Sequence, residues 1–198
     1  MYKRQPKSLT VTGTVVADKT YNGTTVGTLT TAGSLSGYIS GDLSGLTLIT
    51  SGATANFASA NVAYIVANTT INDATPGTVT AQNVGIAGMS LSGSKATNYT
   101  LTQPTVTAKI SPAQLTMTAV DTSGLPGAIP ANFTATYSGF VSGESAANLS
   151  NVSVTSNPQP SPGSYPIVPT ASSGNYQITK VNGTLTLIGY DTLSLIHI

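Results

Sequence analysis

The sequence contains no cysteine, no tryptophan and very few charged residues. Without cysteine the chain has no disulfide bond, no thiol nucleophile and no zinc–thiolate site. Charged residues make up 7% of the 198 residues, against about a quarter in an average soluble domain. The formal net charge is +1. This balance gives no electrostatic reason to expect nucleic acid or an acidic membrane surface as a partner.

Long apolar segments are also missing. No run approaches the roughly 18 apolar residues of a membrane-spanning helix, so we expect no membrane insertion. Residues 1–8 are not followed by an apolar core, so no secretory signal is visible. A protein of this composition is nevertheless expected to be exported. We therefore expect its signal peptide to lie outside this sequence.

Serine, threonine, glycine and asparagine take the place of charged residues at the predicted surface. Hydrophobic residues make up 39% of the chain, and the mean hydropathy is +0.14. Disordered chains combine low hydrophobicity with high net charge, which is the opposite of this composition. Exposed threonine ladders suit β-strands. The composition therefore favours a folded, β-rich chain.

The chain uses one pattern twice, which indicates two consecutive units. Residues 98–102 and 175–179 both begin with Asn-Tyr and lead into alternating threonine and aliphatic residues. Residues 9–12 and 115–118 open the two units with Leu-Thr-Val-Thr and Leu-Thr-Met-Thr. Such repetition is typical of tandem modules, in which function lies more often in length and surface than in an active site.

The first unit is predicted to be almost entirely β. Residues 9–17 alternate as one half-buried strand with Leu9, Val11 and Val15 on its apolar face, and Phe57 and Val62 are candidate core residues. Residues 67–84 are predicted to form a protruding hairpin. The strands near 89–91, 99–101 and 106–108 alternate in the manner of antiparallel strands.

The second unit is predicted to be mostly β with one short helix. Residues 144–149 contain no β-branched residue, and Glu144 would lie in the first turn, where the helix dipole favours an acid. Ser111-Pro112 is the expected junction, because proline cannot extend a ladder and stiffens a link. We therefore predict a mainly β fold of two tandem modules, 9–112 and 115–188, with few contacts across the junction.

Residues 19–112 resemble the YDG-type repeat of filamentous-haemagglutinin-like bacterial surface proteins. The resemblance is carried by Lys-Thr-Tyr-Asn-Gly-Thr-Thr at 19–25, Gly-Asp at 41–42, and Ala-Thr-Ala-Asn-Phe-Ala at 53–58. It continues with Asn-Tyr-Thr-Leu at 98–101 and Ile-Ser-Pro-Ala at 110–113. Asn22 stands where the family has aspartate, and residues 68–84 are longer than the usual repeat.

Residues 115–188 are similar to the MBG domain that often follows such a repeat. The matching stretches are Tyr-Ser-Gly-Phe-Val-Ser-Gly-Glu at 137–144, Pro-Gly-Ser-Tyr-Pro-Ile at 162–167, and the segment from Asn175 to Thr186. This resemblance implies a β-grasp-like module with one short helix near 143–149. Together the two resemblances imply an exported adhesin-type protein with no catalytic residues to carry over.

Residues 189–198 are interpreted as a linker followed by a non-native tail. The stretch 193–198 departs from the threonine- and glycine-rich style of the chain and resembles the translated end of a transposon used in sequencing libraries. A native apolar terminal strand is the alternative. The non-native interpretation predicts that 193–198 contributes little to either core.

The sequence carries no recognisable catalytic or metal-binding pattern. The single histidine, His197, lies in the suspect tail, so a histidine-dependent triad is not expected. The acids mostly stand beside glycine, serine, threonine or asparagine, where turn and cap roles are usual. They are too dispersed for a calcium loop. These acids are Asp18, Asp42, Asp73, Asp121, Glu144 and Asp191. We therefore predict no catalytic, cofactor-binding or metal residue and no cofactor.

Lysine and tyrosine side chains are the remaining candidates for a chemical or binding role. A Lys–Asn isopeptide bond would need a buried acid beside one of Lys19, Lys95, Lys109 or Lys180, and solvated lysines are the simpler expectation. Tyr99 and Tyr176 occupy equivalent positions, so each is expected to bury its ring and keep its hydroxyl at the edge. The remaining tyrosines considered could stack on a sugar if they cluster. They are Tyr38, Tyr64 and Tyr190.

Three functions remain open at this point. The leading one is a non-catalytic spacer segment of a large exported adhesin, with neighbouring modules of the same chain as its partners. The second is a module that binds a host glycan or protein through a concave site with convergent aromatics and amides. The third is a secreted carbohydrate-active enzyme, which would need two carboxylates about 5–10 Å apart in a cleft.

Overall fold

The computed structural model describes residues 5–65 and 77–189. Strands hold 52% of these residues and helical turns only 5%, which confirms the mainly β prediction. The described residues separate into two compact units. Unit one contains 5–65 and 77–112, and unit two contains 113–189. In the described ranges, no helix is long and apolar enough to cross a membrane.

Unit one contains fifteen short strands. They are β1 Lys7–Thr12, β2 Val15–Val16, β3 Lys19–Thr20, β4 Val26–Gly27, β5 Leu29–Thr31, β6 Ser34–Ser36, β7 Thr47–Ile49, β8 Thr54–Phe57, β9 Tyr64–Ile65, β10 Thr78–Val79, β11 Gln82–Ala87, β12 Ser90–Ser92, β13 Tyr99–Leu101, β14 Thr105–Ala108 and β15 Ile110–Ser111. Two single 3-10 turns, Leu43–Gly45 and Ala96–Asn98, interrupt them.

The strands of unit one form two main sheets and several two-stranded pairs. The sheet orders are β13-β1-β6 and β14-β11-β8-β4, and the pairs are β12-β7, β15-β3, β10-β9 and β2-β5. One core cluster is formed by Leu9, Leu46 and Tyr99, against which Tyr38 and Leu101 pack. In β1, β8 and β11 small or polar residues alternate with apolar ones, so one face of each of these strands is apolar and buried.

Unit two contains seven longer strands. They are β16 Ala113–Ala119, β17 Thr122–Gly124, β18 Ala135–Ser138, β19 Ser150–Ser156, β20 Gly163–Ser172, β21 Tyr176–Val181 and β22 Gly183–Leu187. The sheet orders are β18-β16-β21 and β17-β22-β20-β19. In β22 the exposed Thr184 and Thr186 alternate with the buried Leu185 and Leu187. Ala119 and Ile167 join these leucines in the core.

The two units share one topology. In unit one, β1 lies between an antiparallel neighbour, β6, and a parallel one, β13. In unit two, β16 lies between antiparallel β18 and parallel β21. The second parallel pairs, β3 with β15 and β17 with β22, correspond in the same way. The repeated sequence pattern therefore corresponds to a repeated fold.

The main difference between the units is an insertion. The connection from β8 to β11 spans 58–81, whereas the corresponding connection from β19 to β20 spans only 157–162. The longer connection contains the antiparallel pair of β9 and β10, in which Tyr64 faces Val79. The hairpin predicted for 67–84 is thus present at its base, in which β10 pairs with β9. The prediction was wrong for residues 82–84, which begin β11 of the four-stranded sheet. Residues 67–76 of that prediction lie outside the described residues.

The short helix predicted for 144–149 is a single 3-10 turn, Ala146–Asn148. Ser145 caps it, because its side chain accepts a hydrogen bond from the Ala147 amide while Asn148 bonds back to the Ser145 amide. The prediction that Glu144 lies in the first turn was wrong. Glu144 precedes the cap and contacts a tyrosine instead.

Two strand predictions in unit one were also wrong in detail. Residues 9–17 are not one strand, because Gly13 adopts a positive φ of 76° and breaks it. Leu9 and Val11 are buried as predicted, but beyond Gly13 the buried residue is Val16, and Val15 is exposed. The strand at 99–101 pairs in parallel with β1 and not in the antiparallel manner predicted. Phe57 is buried as predicted, and Val62 is only half-buried.

Candidate functional site

In unit two, a set of hydrogen bonds joins a buried tyrosine to a turn. Tyr176 begins β21, and only 5% of its surface is exposed. Its ring packs edge-on against Phe140, with 5.6 Å between the ring centroids. Its hydroxyl accepts a hydrogen bond from the Val141 amide at 2.9 Å and donates one to the Glu144 carboxylate. We call Tyr176, Val141 and Glu144 the unit-two clamp.

Unit one contains the same arrangement. The hydroxyl of Tyr99 accepts from the Ile39 amide at 3.0 Å and donates to Asp42 Oδ2 at 2.8 Å. The Lys95 Nζ atom lies 3.7 Å from the other oxygen of Asp42. We call Tyr99, Ile39 and Asp42 the unit-one clamp. Both tyrosines have a buried ring and a bonded hydroxyl, as their equivalent sequence positions predicted.

A six-residue turn supplies the other half of each clamp. Its sequence is Gly-Tyr-Ile-Ser-Gly-Asp at 37–42 and Gly-Phe-Val-Ser-Gly-Glu at 139–144. Both glycines of each copy have a positive φ. In each copy the amide of the acidic residue bonds to the carbonyl three residues earlier, at 3.0 Å. This closed turn directs one amide and one carboxylate towards the tyrosine. The aligned pattern Gly-aromatic-aliphatic-Ser-Gly-acid is the signal that could have revealed both clamps.

A second repeated device uses aspartate. Asp18 Oδ1 accepts a hydrogen bond from the Lys109 amide at 2.7 Å, and Asp121 Oδ1 accepts one from the Thr184 amide at 2.7 Å. Each bonded amide lies one residue before a parallel pair, β15 with β3 or β22 with β17. A carboxylate that accepts from a backbone amide makes a charge-assisted hydrogen bond. Each aspartate therefore holds the last strand of its unit against an early one.

Burial is the largest cause that raises the pKa of both clamp tyrosines. The hydrogen bond to the neighbouring carboxylate and its negative charge raise the pKa further in each case. The bond from the backbone amide, of Ile39 or of Val141, acts in the opposite direction. The clamps are therefore built for the neutral phenol.

These shifts predict alkaline sensitivity. A tyrosine whose pKa is raised by folding contributes stability that is present below its unfolded pKa of about 10 and is lost as the pH rises through the folded value. We expect the unfolding midpoint in urea to stay level up to about pH 9 and then to fall. The double variant Tyr99→Phe/Tyr176→Phe should start lower and fall less steeply. Tyr64, whose pKa is also raised by burial, leaves a residual slope in both proteins. Equal slopes for both proteins would contradict this assignment.

The candidate acids have structural partners. Asp18 and Asp121 bond to backbone amides, and Asp42 and Glu144 bond to tyrosines. Over 5–65 and 77–189, no group of three or more His, Cys, Asp or Glu side chains could hold a metal ion. Asp73, Asp191 and His197 lie outside the described residues, as do Tyr190 and the predicted tail at 193–198.

The lysines considered for an isopeptide bond lie at the surface or at half-buried positions. Lys19 Nζ bonds to Asn22 Oδ1 at 2.9 Å and to the Val26 carbonyl at 3.0 Å, and it lies 5.3 Å from the centre of the Phe57 ring. Burial lowers the pKa of Lys19. The described part of the chain has no buried charged residue, so no buried acid accompanies this lysine. Lys109 is exposed, and Lys180 is half-buried.

In one groove of unit one, the side chains of Gln103 and Tyr99 are engaged in hydrogen bonds within the unit. The groove has a volume of about 420 Å³ and is lined by Met89, Leu91, Tyr99, Leu101 and Gln103 among others. The Gln103 amide bonds to both the amide and the carbonyl of Met89, at 3.2 and 2.7 Å. The Tyr99 hydroxyl belongs to the unit-one clamp. The one side-chain amide and the one aromatic hydroxyl in this lining are therefore already bonded, unlike the available amides and aromatics of a sugar site.

The other tyrosines considered for sugar stacking have structural surroundings. Tyr38 packs against the cluster of Leu9, Leu46 and Tyr99. Tyr64 is half-buried on the β9–β10 hairpin, where a side chain at Gly77 would meet its ring. Both side chains are half-buried.

Comparison with known proteins identifies the second unit. No curated protein and no solved structure matches the chain. One family model does match, the MBG domain of the YGX type, over residues 115–186. These residues run from β16 to β22. They include the unit-two clamp and the hydrogen bond from the Thr184 amide to Asp121. Residues 115–186 are therefore an MBG domain of the YGX type, a domain seen in surface adhesin-like repeat proteins.

Proposed function

We propose that this chain is a non-catalytic structural segment of a large exported bacterial adhesin and acts as a spacer that projects binding regions from the cell surface. In this proposal unit one is a YDG-type repeat of a filamentous-haemagglutinin-like protein and precedes the MBG domain. The segment is secreted or surface-associated. Its main partners are neighbouring modules of its own chain, and it needs no cofactor.

The observation that carries the proposal is the repetition of the clamps. A chain that builds the same fold twice and closes it twice with the same two devices conserves a framework, as repeat proteins do. The polar groups that could serve chemistry are used for closure. Tyr99, Tyr176, Asp42 and Glu144 all bond within their own unit. The MBG family is a non-catalytic repeat-type family, which fits this use.

The experiment is display at a bacterial surface. The chain is inserted between an outer-surface anchor and an epitope tag, in zero, one or two copies, on cells that carry a polysaccharide coat. We expect binding of an antibody-coated bead to the epitope to rise with copy number. A flexible glycine–serine linker of equal residue number is the matched control. It should give less access, because the end-to-end distance of a random coil grows only with the square root of its residue number. Access that is independent of copy number would contradict the spacer role.

The alternative is an adhesive module that binds a host glycan or protein. The shallow groove beside Met89 and Leu91 is the observation that favours it, since its lining is more apolar than polar. The fluorescently labelled chain is applied to glycan and extracellular-matrix arrays, with heat-unfolded chain as the control. Specific binding that is lost on Leu91→Lys would support the adhesive function. The spacer proposal expects no binding above the control.

A further inference from the structure

The first and last strands of each unit run parallel and pair in both sheets. In unit two, β16 pairs with β21 from Ala113 opposite Tyr176 to Thr118 opposite Val181. The same two chain segments continue as β17 and β22, which pair up to Gly124 opposite Leu187. The Ile188 amide adds a bond to the Gly124 carbonyl at 3.0 Å. The entry and exit segments thus remain paired along almost their whole length.

Unit one has the same arrangement in a shorter form. β1 pairs with β13 over Lys7–Leu9, and β3 pairs with β15 over Lys19–Thr20. Two backbone bonds extend the pairs, from the Thr102 amide to the Leu9 carbonyl and from the Tyr21 amide to the Ser111 carbonyl, both at 2.8 Å. Between the two pairs the extended strand is interrupted at Gly13.

This geometry determines how a pulling force acts on a unit. When two strands are parallel, the beginning of one and the end of the other lie at opposite ends of the pair. Tension between the entry and the exit of the unit therefore acts along the strands, in shear. The ladder bonds, which are evenly spaced in a parallel pair, then share the force and must break together. Force applied at one end of the pair would instead break them one at a time.

We propose that each unit is a tension-resisting module, in which the parallel pairing of entry and exit strands bears the force transmitted through the chain. This inference rests on the proposed role as a surface segment, because such a segment connects an anchored cell to whatever it adheres to. In this function each unit resists mechanical tension, and no ligand is required.

Side chains reinforce the pairs that would be sheared. Asp121 bonds to the Thr184 amide at the start of β22, and Asp18 bonds to the Lys109 amide before β15. In unit two the amides of Gln114 and Gln177 bond across β16 and β21 at 3.0 Å. These bonds lie across the interface that tension would slide, so each must break together with the ladder.

The two units should yield at different forces. The parallel ladders of unit two are longer than those of unit one, so unit two should resist the higher force. The 75 residues from Ala113 to Leu187 extend to about 250–270 Å, and the 105 residues from Lys7 to Ser111 to about 350–380 Å. Single-molecule stretching of the whole chain can therefore assign each unfolding event by its length.

The decisive experiment changes only the direction of force. The chain has no cysteine, so introduced pairs of cysteines provide specific handles on the full-length protein. The pair Gln114→Cys/Ile188→Cys pulls unit two in shear. The pair Gln114→Cys/Gly174→Cys pulls the same parallel strands apart from one end. Ile188 is 55% exposed, and a side chain at Gly174 would meet no neighbour within 4 Å, so both of these handles are tolerated. Gln114→Cys removes the bond to Gln177, but it does so equally in both pairs, so the comparison of directions is unaffected.

We expect the shear pair to unfold at a severalfold higher force than the one-ended pair. Asp121→Ala should lower the shear force, whereas Asp121→Asn, which keeps an acceptor oxygen, should retain most of it. Equal forces in the two directions, or a shear force that Asp121→Ala leaves unchanged, would overturn the inference. If access to the epitope rises with copy number but the two pulling directions give equal forces, the chain is a spacer and not a tension-resisting module. Failure of the display experiment alone would reject the spacer role and leave the mechanical result intact.

Discussion

Replacing Gly139 by alanine should destabilise unit two by roughly 3–5 kcal/mol, which is an exceptional effect for one methyl group. Gly139 has a φ of 109°, a conformation that residues with a side chain rarely adopt. A Cβ atom there would overlap the backbone oxygen of Gln114 in the neighbouring strand β16. Because that oxygen belongs to the backbone of the central strand, it cannot rotate away. The measurement is urea denaturation, followed through amide resonances assigned to unit two.

Gly37 is the matched control in unit one. It occupies the same position of the six-residue turn and has a φ of 92°. A Cβ atom at Gly37 would lie 3.6 Å from the Ser8 carbonyl oxygen, an ordinary contact. Gly37→Ala therefore carries only the backbone cost of about 1–2 kcal/mol. Equal losses in the two units would show that steric overlap with Gln114 is not the cause.

Replacing Tyr176 by alanine should destabilise unit two by about 3–5 kcal/mol, the usual range for a buried aromatic residue. The change removes a ring that is nearly fully buried and packed on Phe140. It also leaves the Val141 amide and the Glu144 carboxylate without the hydroxyl. Tyr176→Phe isolates the polar part and should cost about 1–2 kcal/mol, because the ring stays and only the hydrogen bonds are lost.

Tyr165 provides the control for the loss of a tyrosine hydroxyl. Its hydroxyl bonds to Ser161 in the exposed loop before β20, at 2.9 Å to the carbonyl. Tyr165→Phe should therefore cost less than about 0.5 kcal/mol, as surface changes usually do. The free energy of unfolding is measured for all variants under one condition. If Tyr176→Phe and Tyr165→Phe have the same effect, the unit-two clamp does not stabilise the fold.

The fold class could be predicted because threonine and aliphatic residues alternate along most strands. The equivalence of Tyr99 and Tyr176 was visible because each follows an asparagine at the start of a closing strand. The parallel pairing of these closing strands was not visible, because alternation has the same period in parallel and antiparallel strands. The break at Gly13 was missed for a related reason, since one glycine with positive φ reverses the face of the residues that follow.

The hydrogen-bond partners of the acidic residues could not be predicted from the sequence, for a different reason. Asp18 bonds to Lys109, and Asp42 to Tyr99, over sequence separations that only the topology brings together. The prediction that Glu144 favours a helix dipole relied on local propensity, and the tertiary bond to Tyr176 decided its role instead. The six-residue turn was the missed local signal, because its two copies differ only by conservative changes.

The central claim is that the same clamp closes both units, and amide hydrogen exchange tests it most directly. The Ile39 and Val141 amides lie in turns, and each bonds to a tyrosine hydroxyl. We predict that both exchange far more slowly than neighbouring turn amides, with protection close to that of the strands. Tyr99→Phe should remove protection at Ile39 only, and Tyr176→Phe at Val141 only. Exchange of both amides at the rate of open turns, or protection unaffected by either substitution, would contradict the account.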